Sequence, residues 1–241
     1  MITAPVFRSP VIPVRIKAAL TLVTAAMIFP LVQAQAPAEL PMAAAVIGGV
    51  REMMIGAIIG LALTLLLTGA EVGGLIVGQQ AGIALADVID PTGNQQASIM
   101  GQIYTISLTL LFLLAGGHRA TMAALLDTFS VIPLLSFQFD EMFLMLLVEM
   151  LAGAFILGIR LAGPVLIALF LLGTALAFIS RTMPQLNILT VGFTLRLLVA
   201  LGVASLAIIA YQDLMLDAVW DGVEQVRAAF GLDPVNSRLV T

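Results

Sequence analysis

Four ionisable side chains, Glu71, Glu149, Arg160 and Arg196, stand inside long apolar runs of this sequence. A charge at membrane depth is costly and by default marks an ion path, a proton relay or a buried partner. A relay or an enzyme needs such groups clustered, with a nucleophile within reach of a base. Here they are scattered singly, and the sequence holds no His-Glu-x-x-His motif and no glycine loop of the phosphate-cradling kind. The expected placement of each is therefore a pairing with a neighbouring helix or a position near the interface. The single histidine, His118, follows Gly116-Gly117 and reads as a helix-end residue. With no cysteine, a disulfide framework, thiolate zinc sites and a cysteine nucleophile are excluded. One histidine does not make a His-based metal cluster. The residues point to no catalytic centre, no metal and no cofactor, hence to no enzyme. The net charge of −4, with no dense basic stretch, gives no nucleic-acid footprint.

The elements that carry these residues are apolar throughout. Of 241 residues, 61% are hydrophobic and 10% charged, and the mean hydropathy is +1.14. Soluble domains carry about 25% charged residues; so few charges cannot clothe a water-facing surface, but a lipid-facing one needs none. The chain reads as an all-α integral membrane protein. A basic, proline-punctuated start with Arg8, Arg15 and Lys17 precedes an apolar run from Ala18 to Val32. Ala34-Gln35-Ala36 after it imitates a signal-peptide cleavage site, but a polytopic chain needs no cleavable signal. A polar connection from Gln33 to Pro41 leads to apolar runs from Met53 to Ala70 and Val72 to Ala86. Another runs from Ile99 to Ala115 and stops at Gly116-Gly117. Residues 118–140 are mixed, with a short apolar helix around Met122 to Leu126.

Met142 to Ser180 is a continuous apolar stretch nearly twice as long as a bilayer requires. It must bend, break or protrude, and Pro164 is its kink site. Leu186 to Tyr211 follows, so residues 142–212 form a long helical hairpin. Residues 213–230 are amphipathic: Leu216, Val219, Trp220, Val223, Val226 and Phe230 make one stripe, opposite Asp213, Asp217, Asp221 and Glu224. The basic start and Arg181 mark one side of the membrane, and the acidic connections at 33–41 and 213–224 the other.

Small residues recur at four-residue spacing: Gly56 and Gly60, Gly69 and Gly73, Gly74 and Gly78, then Gly82. That spacing makes a flat helical stripe on which another backbone can lie, so these glycines are expected to form a packing face for partner helices. Asp90-Pro91-Thr92-Gly93 is turn chemistry within residues 87–98.

Several motifs together carry a resemblance. They are Pro13-Val14-Arg15-Ile16-Lys17; Gly78-Gln79-Gln80-Ala81-Gly82 leading into Asp90-Pro91; Gly117-His118 followed by Asp127-Thr128-Phe129 and Pro133; and Ser180-Arg181-Thr182-Met183-Pro184-Gln185-Leu186-Asn187-Ile188 with Val191-Gly192-Phe193. In this order, over roughly residues 3–212, the chain resembles the FliR/SctT family of type III export-gate subunits. Arg-x-x-Pro-Gln is the most specific motif, and Val191-Gly192-Phe193 looks more flagellar than virulence-type. Members usually carry a further apolar helix before the basic segment, and Met1 falls near where it would end. The resemblance leaves open a truncated start or a member without that helix.

The resemblance implies a FliP-like part at 1–141, a FliQ-like hairpin at 142–212 and an amphipathic C-terminal tail at 213–241. It implies a pore built with FliP and FliQ in the bacterial inner membrane at the flagellar basal body, partly projecting to the periplasmic side, that passes unfolded flagellar proteins. Arg181, Pro184 and Gln185 would form a cytoplasmic hairpin tip near FlhB. A pore wide enough for an unfolded chain needs a seal, and the family's plug loop maps onto Ile83, Leu85, Asp87, Ile89, Asp90, Pro91 and Gly93. The apolar start of that stretch suits a constriction closed by dewetting. The alternatives are a virulence-type export gate and a solute transporter or channel. A transporter predicts inverted repeats with broken helices, and no convincing repeat relates the halves.

Overall fold

The computed structural model describes residues 13–32, 41–83, 98–183 and 188–234. All regular structure among them is helical: α1 (Val14–Val32), α2 (Met42–Ala81), α3 (Ile99–Leu114), α4 (Gly117–Val131), α5 (Glu141–Thr182), α6 (Ile188–Ala210) and α7 (Gln212–Ala229). Among the described residues three stretches are long and apolar enough to cross a membrane: α2, α5 and Thr190–Ala210 within α6. A fourth arises if α3 and α4, broken at Gly116, count as one span. The all-α membrane class expected from composition is the class observed.

With 40 and 42 residues, α2 and α5 are each roughly 60 Å long, about twice the ~30 Å hydrocarbon thickness. Pro164 lies inside α5; it has no N–H to offer the carbonyl of Arg160 one turn earlier. α2 starts about three turns before the expected apolar run, because Arg51 and Glu52 interrupt the hydropathy without ending the helix. It stops at Ala81, earlier than the expected Ala86. Gly82 there is left-handed, at φ 84°; its N–H donates to the Gln79 carbonyl (3.1 Å) and Ile83 N–H to that of Gly78 (3.0 Å). This closing pair needs the backbone freedom of glycine. The segment around Met122 to Leu126 is a full helix, α4.

The chain divides into two compact units, each drawn from separated stretches. One unit takes residues 1–66, 112–152 and 218–241. Its core joins Ile55, Ile59, Leu63 and Leu66 of α2 with Leu146 and Met150 of α5 and Val219, Val223 and Val226 of α7, all buried. Phe143 anchors one end, with ring centroids 5.1 Å from Phe137 and 5.0 Å from Phe230, both tilted pairs. On α7 the Asp213, Asp217, Asp221 and Glu224 side chains are exposed, opposite the buried valines.

The other unit takes residues 67–111 and 153–217. Here α2 meets α5 backbone to backbone. A Cβ at Gly73 would lie 2.6 Å from the Gly158 carbonyl oxygen, one at Gly158 equally close to that of Gly69, and one at Gly69 would strike the Ala154 backbone. α3 closes on the same stretch: a Cβ at Gly74 would strike Met100 and Gly101, and the Tyr104 hydroxyl donates to the Leu161 carbonyl at 3.3 Å. α6 is less enclosed, with 17% of its apolar window buried; Leu198, Leu206 and Ile209 face outward. Such a surface needs lipid or protein against it.

These contacts predict a graded response to added volume. Gly73→Leu and Gly158→Leu should each destabilise the purified chain by at least ~1–3 kcal/mol, because the atoms they meet are backbone and cannot step aside. Gly153, which has nothing within 4 Å of an added Cβ, should accept alanine with no loss. Thermal aggregation midpoints in detergent check the contrast; equal midpoints for all three variants would contradict it.

Candidate functional site

The stripe expected from glycine spacing divides by position. Gly69 and Gly73 meet α5 and Gly74 meets α3 of the same chain, while a Cβ at Gly78 would lie 2.7 Å from Ser98 Oγ. Gly60 is buried, and an added Cβ at Gly56 would meet nothing within 4 Å. Gly82 ends the helix. Of the expected seal, Ile83 is described, as a half-buried turn residue; Leu85, Asp87, Ile89, Asp90, Pro91 and Gly93 lie outside the described residues. Of the expected tip, Arg181 is exposed in the last turn of α5; Pro184 and Gln185 lie outside the described residues.

The four intramembrane charges are all exposed on the chain's surface. Among the described residues none of them forms an ion pair within the chain. His118 is exposed near the start of α4. Among the described residues no group of three or more His, Asp or Glu could hold a metal ion.

Two polar arrangements escaped the reading by hydropathy, both in the unit that contains α4. In the first, α2 grips the segment between α4 and α5. Leu135 N–H donates to Glu52 Oε1 at 2.9 Å, Arg51 Nη1 donates to the Leu135 carbonyl at 3.3 Å, and the Leu135 side chain occupies the space above Gly48. Leu135 is held at φ 65°, the left-handed region, which costs a non-glycine residue about 1–3 kcal/mol. Engagement of both its backbone groups and its side chain offsets that cost. The adjacent opposite charges Arg51-Glu52 inside an apolar stretch were the available signal.

In the second, Arg227 of α7 is 6% exposed. Its Nη2 lies 2.8 Å from Asp127 Oδ2 of α4, and its Nε donates to the Asp233 carbonyl at 2.6 Å. A cavity of about 330 Å³ beside the pair is lined by Asp127, Ser130, Val131, Arg227 and residues 231–234. The guanidinium thus fixes both α4 and the chain after α7. Asp127 belongs to a motif noted in the sequence; its partner, one hundred residues away, could not be read from local pattern.

Long apolar helices and glycine-mediated backbone contacts define an integral membrane protein built for close helix association. Comparison of sequences makes this specific: residues 1–221 match the family described as bacterial export proteins, family 1, and the chain belongs to it. It is 28% identical over 201 residues to the flagellar biosynthetic protein FliR of Escherichia coli K12, covering 83% of this chain and 76% of that protein. It is 31% identical over 152 residues to FliR of Buchnera aphidicola, covering 63% of this chain and 59% of that protein. It is also 30% identical over 163 residues to the Yop proteins translocation protein T of Yersinia pestis, covering 67% of this chain and 61% of that protein.

The ion pair predicts an asymmetry. Asp127→Ala leaves a nearly buried guanidinium without its counter-charge and should cost roughly 2–3 kcal/mol. Arg227→Met leaves Asp127, whose side chain is 46% exposed, free to take up water, and should cost about 1 kcal/mol. Chemical denaturation of the two variants side by side measures the difference; the reverse order would show that the bond from Arg227 to the Asp233 carbonyl outweighs the ion pair.

Proposed function

We propose that this chain is a structural, pore-forming subunit of a flagellar type III protein export gate, not an enzyme. The observation that carries the reading is the family match across nearly the whole chain, joined to two helices about twice the length a bilayer needs. Apolar helices of that length are explained if their projecting parts bury against other subunits instead of lipid. FliP and FliQ are the proposed neighbours, FlhB the neighbour at the cytoplasmic entrance, and unfolded flagellar proteins the cargo. In this reading the gate sits in the inner membrane at the flagellar basal body, with part of it on the periplasmic side. Residues 1–141 would serve as the FliP-like part, 142–212 as the FliQ-like hairpin and 213–241 as the tail. A virulence-type gate is the second reading, favoured by the likeness to the Yersinia protein; Val191-Gly192-Phe193 favours the flagellar one.

Assembly is tested by co-purifying the tagged chain with FliP and FliQ and imaging the particle. Failure of the three to associate would overturn the reading.

Two predictions follow from it. Thr182, exposed at the end of α5, should face the cytoplasm by the positive-inside argument for Arg181. An impermeant thiol reagent should label Thr182→Cys only after the inner membrane is opened, and labelling of intact spheroplasts would reverse the topology. The seal is proposed to lie within residues 81–97. Deleting Leu85 to Gln95 should leave the complex assembled but make cells that express all three pore subunits leak small ions, measured as conductance or growth inhibition. Assembly without added leak would place the seal elsewhere.

A further inference from the structure

Within the unit that contains α6, contacts between helices set their residues on a common depth scale. α2 and α5 run parallel there: Gly69 meets Ala154, and one turn on Gly73 meets Gly158. Continued at the same rise, Ala81 at the end of α2 stands level with Leu166 of α5. Gln80 does line one groove with Leu166 and Leu169. α3 runs the opposite way, since Gly78 meets Ser98 while Glu71 lies against Gly101. α6 returns along α5 after the connection at 183–187, and a Cβ added at Gly173 would lie 3.9 Å from Arg196 Nη2.

Charge decides where hydrocarbon can lie on this scale. α6 is apolar over most of its 23 residues, but α7 opens with Gln212, Asp213 and Asp217, all exposed, and exposed carboxylates stay out of hydrocarbon. Arg181 and the connection after it close the other end. On α5, Arg160 and Arg181 are about 31 Å apart, one hydrocarbon thickness, and no residue between them is charged. From the contact of Arg196 with Gly173, Tyr211 lies about 22 Å along α6 and Arg160 about 20 Å back along α5. Arg160 and Tyr211 therefore mark one level, and a long cationic stem and a phenol both suit a headgroup layer. Glu71, two residues before Gly73, falls outside that level, as do Asp213 and Asp217. Of the charges described in this unit, Arg196 alone falls between the two levels, and it requires a polar neighbour there.

We infer that the hydrocarbon layer of the bilayer lies between the levels of Arg160 and Arg181. In this unit the α5–α6 hairpin alone crosses it, and α2 and α3 form a re-entrant pair that enters from the Arg160 side and turns inside the layer. Ala81 stands about 9 Å past the Arg160 level and about 22 Å short of the Arg181 level. Hydropathy alone counts α2 as a span, but its contacts with α5 hold it too far out to complete one. Gln79, Gln80 and Ser98 gather at its inner end, with the left-handed turn at Gly82. Non-helical backbone at that depth must face protein or water, so lipid is kept from the end of α2. The inference rests on contacts within the chain and not on its role in export.

The chain has no cysteine, so a single substitution carries a nitroxide label without further change. Leu171→Cys on α5 and Thr68→Cys and Leu75→Cys on α2, all at exposed positions, are labelled in the full chain in nanodiscs of phosphatidylcholine and phosphatidylglycerol. Power saturation with oxygen and a water-soluble nickel chelate reads the depth of each. Leu171 should lie about 15 Å inside the hydrocarbon boundary, Leu75 at the boundary and Thr68 outside it. Thr68 at the depth of Leu171, as a crossing α2 requires, or an aqueous reading at Leu171, overturns the inference. A second measurement uses sealed membranes and an impermeant thiol reagent. Applied from whichever side labels Thr182→Cys, it should leave Ile99→Cys, at the exposed start of α3, unlabelled. Labelling of both from one side would mean that α2 crosses and would overturn the inference equally.

Discussion

The backbone contact of α2 with α5 at Gly69, Gly73, Ala154 and Gly158 is the constraint on which the second unit rests. Helices in lipid gain little from hiding apolar side chains, since the surroundings are as apolar as they are. Association then depends on close packing, and close packing depends on small residues. Removing the side chains brings carbonyl oxygens to within reach of the opposing Cα hydrogens, a weak attraction that repeats along the contact. It also brings Leu157, Leu161 and Val165 into the enclosed interior, where Tyr104 of α3 finds its carbonyl acceptor on the neighbouring turn. Larger side chains at these glycines would separate all three helices together.

The other unit is held in a different manner. Its apolar contacts are those of an ordinary core, Phe143 against Phe137 and Phe230 and the valines of α7 against α2 and α5. Directional polar contacts set where the pieces stop. Arg51 and Glu52 take both backbone groups of Leu135, and Arg227 joins Asp127 to the Asp233 carbonyl. Each is worth little as a free-energy gain after desolvation. Their value is in specificity, since an apolar surface alone would tolerate many registers.

What hydropathy registers was legible in the sequence: the all-α membrane class, the span from 142 to 180, the break at Gly116 and the valine stripe of α7. Less legible were the features in which local polarity is neutralised from afar. The first three turns of α2 fell outside the expected apolar runs because Arg51 and Glu52 punctuate them, and their partner is a backbone eighty residues on. α4 looked mixed because His118, Arg119 and Asp127 dilute its apolar residues, although Ala120 and Ala124 pack inside. Glycine spacing pointed to partner helices and gave no sign that Gly69 and Gly73 meet α5 of the same chain, that an added Cβ at Gly56 meets nothing within 4 Å, or that Gly82 is a terminator. Single intramembrane charges could be found by inspection, yet nothing local distinguishes one that meets its own chain from one that faces outward.

The order in which the unit containing α7 is drawn from the chain bears on its biosynthesis. Its core opens with Ile55 to Leu66 and is completed by Val219 to Phe230, which leave the ribosome long after α2. Until then the early helix keeps Ile58, Ile59 and Leu63 without their final neighbours, and the unit has no stable folded form of its own to reach. Contacts this far apart in sequence form late and slowly, so the nascent protein spends most of its synthesis with an open apolar seam in the membrane. Whatever meets this protein during translation therefore meets that seam, which the finished unit hides.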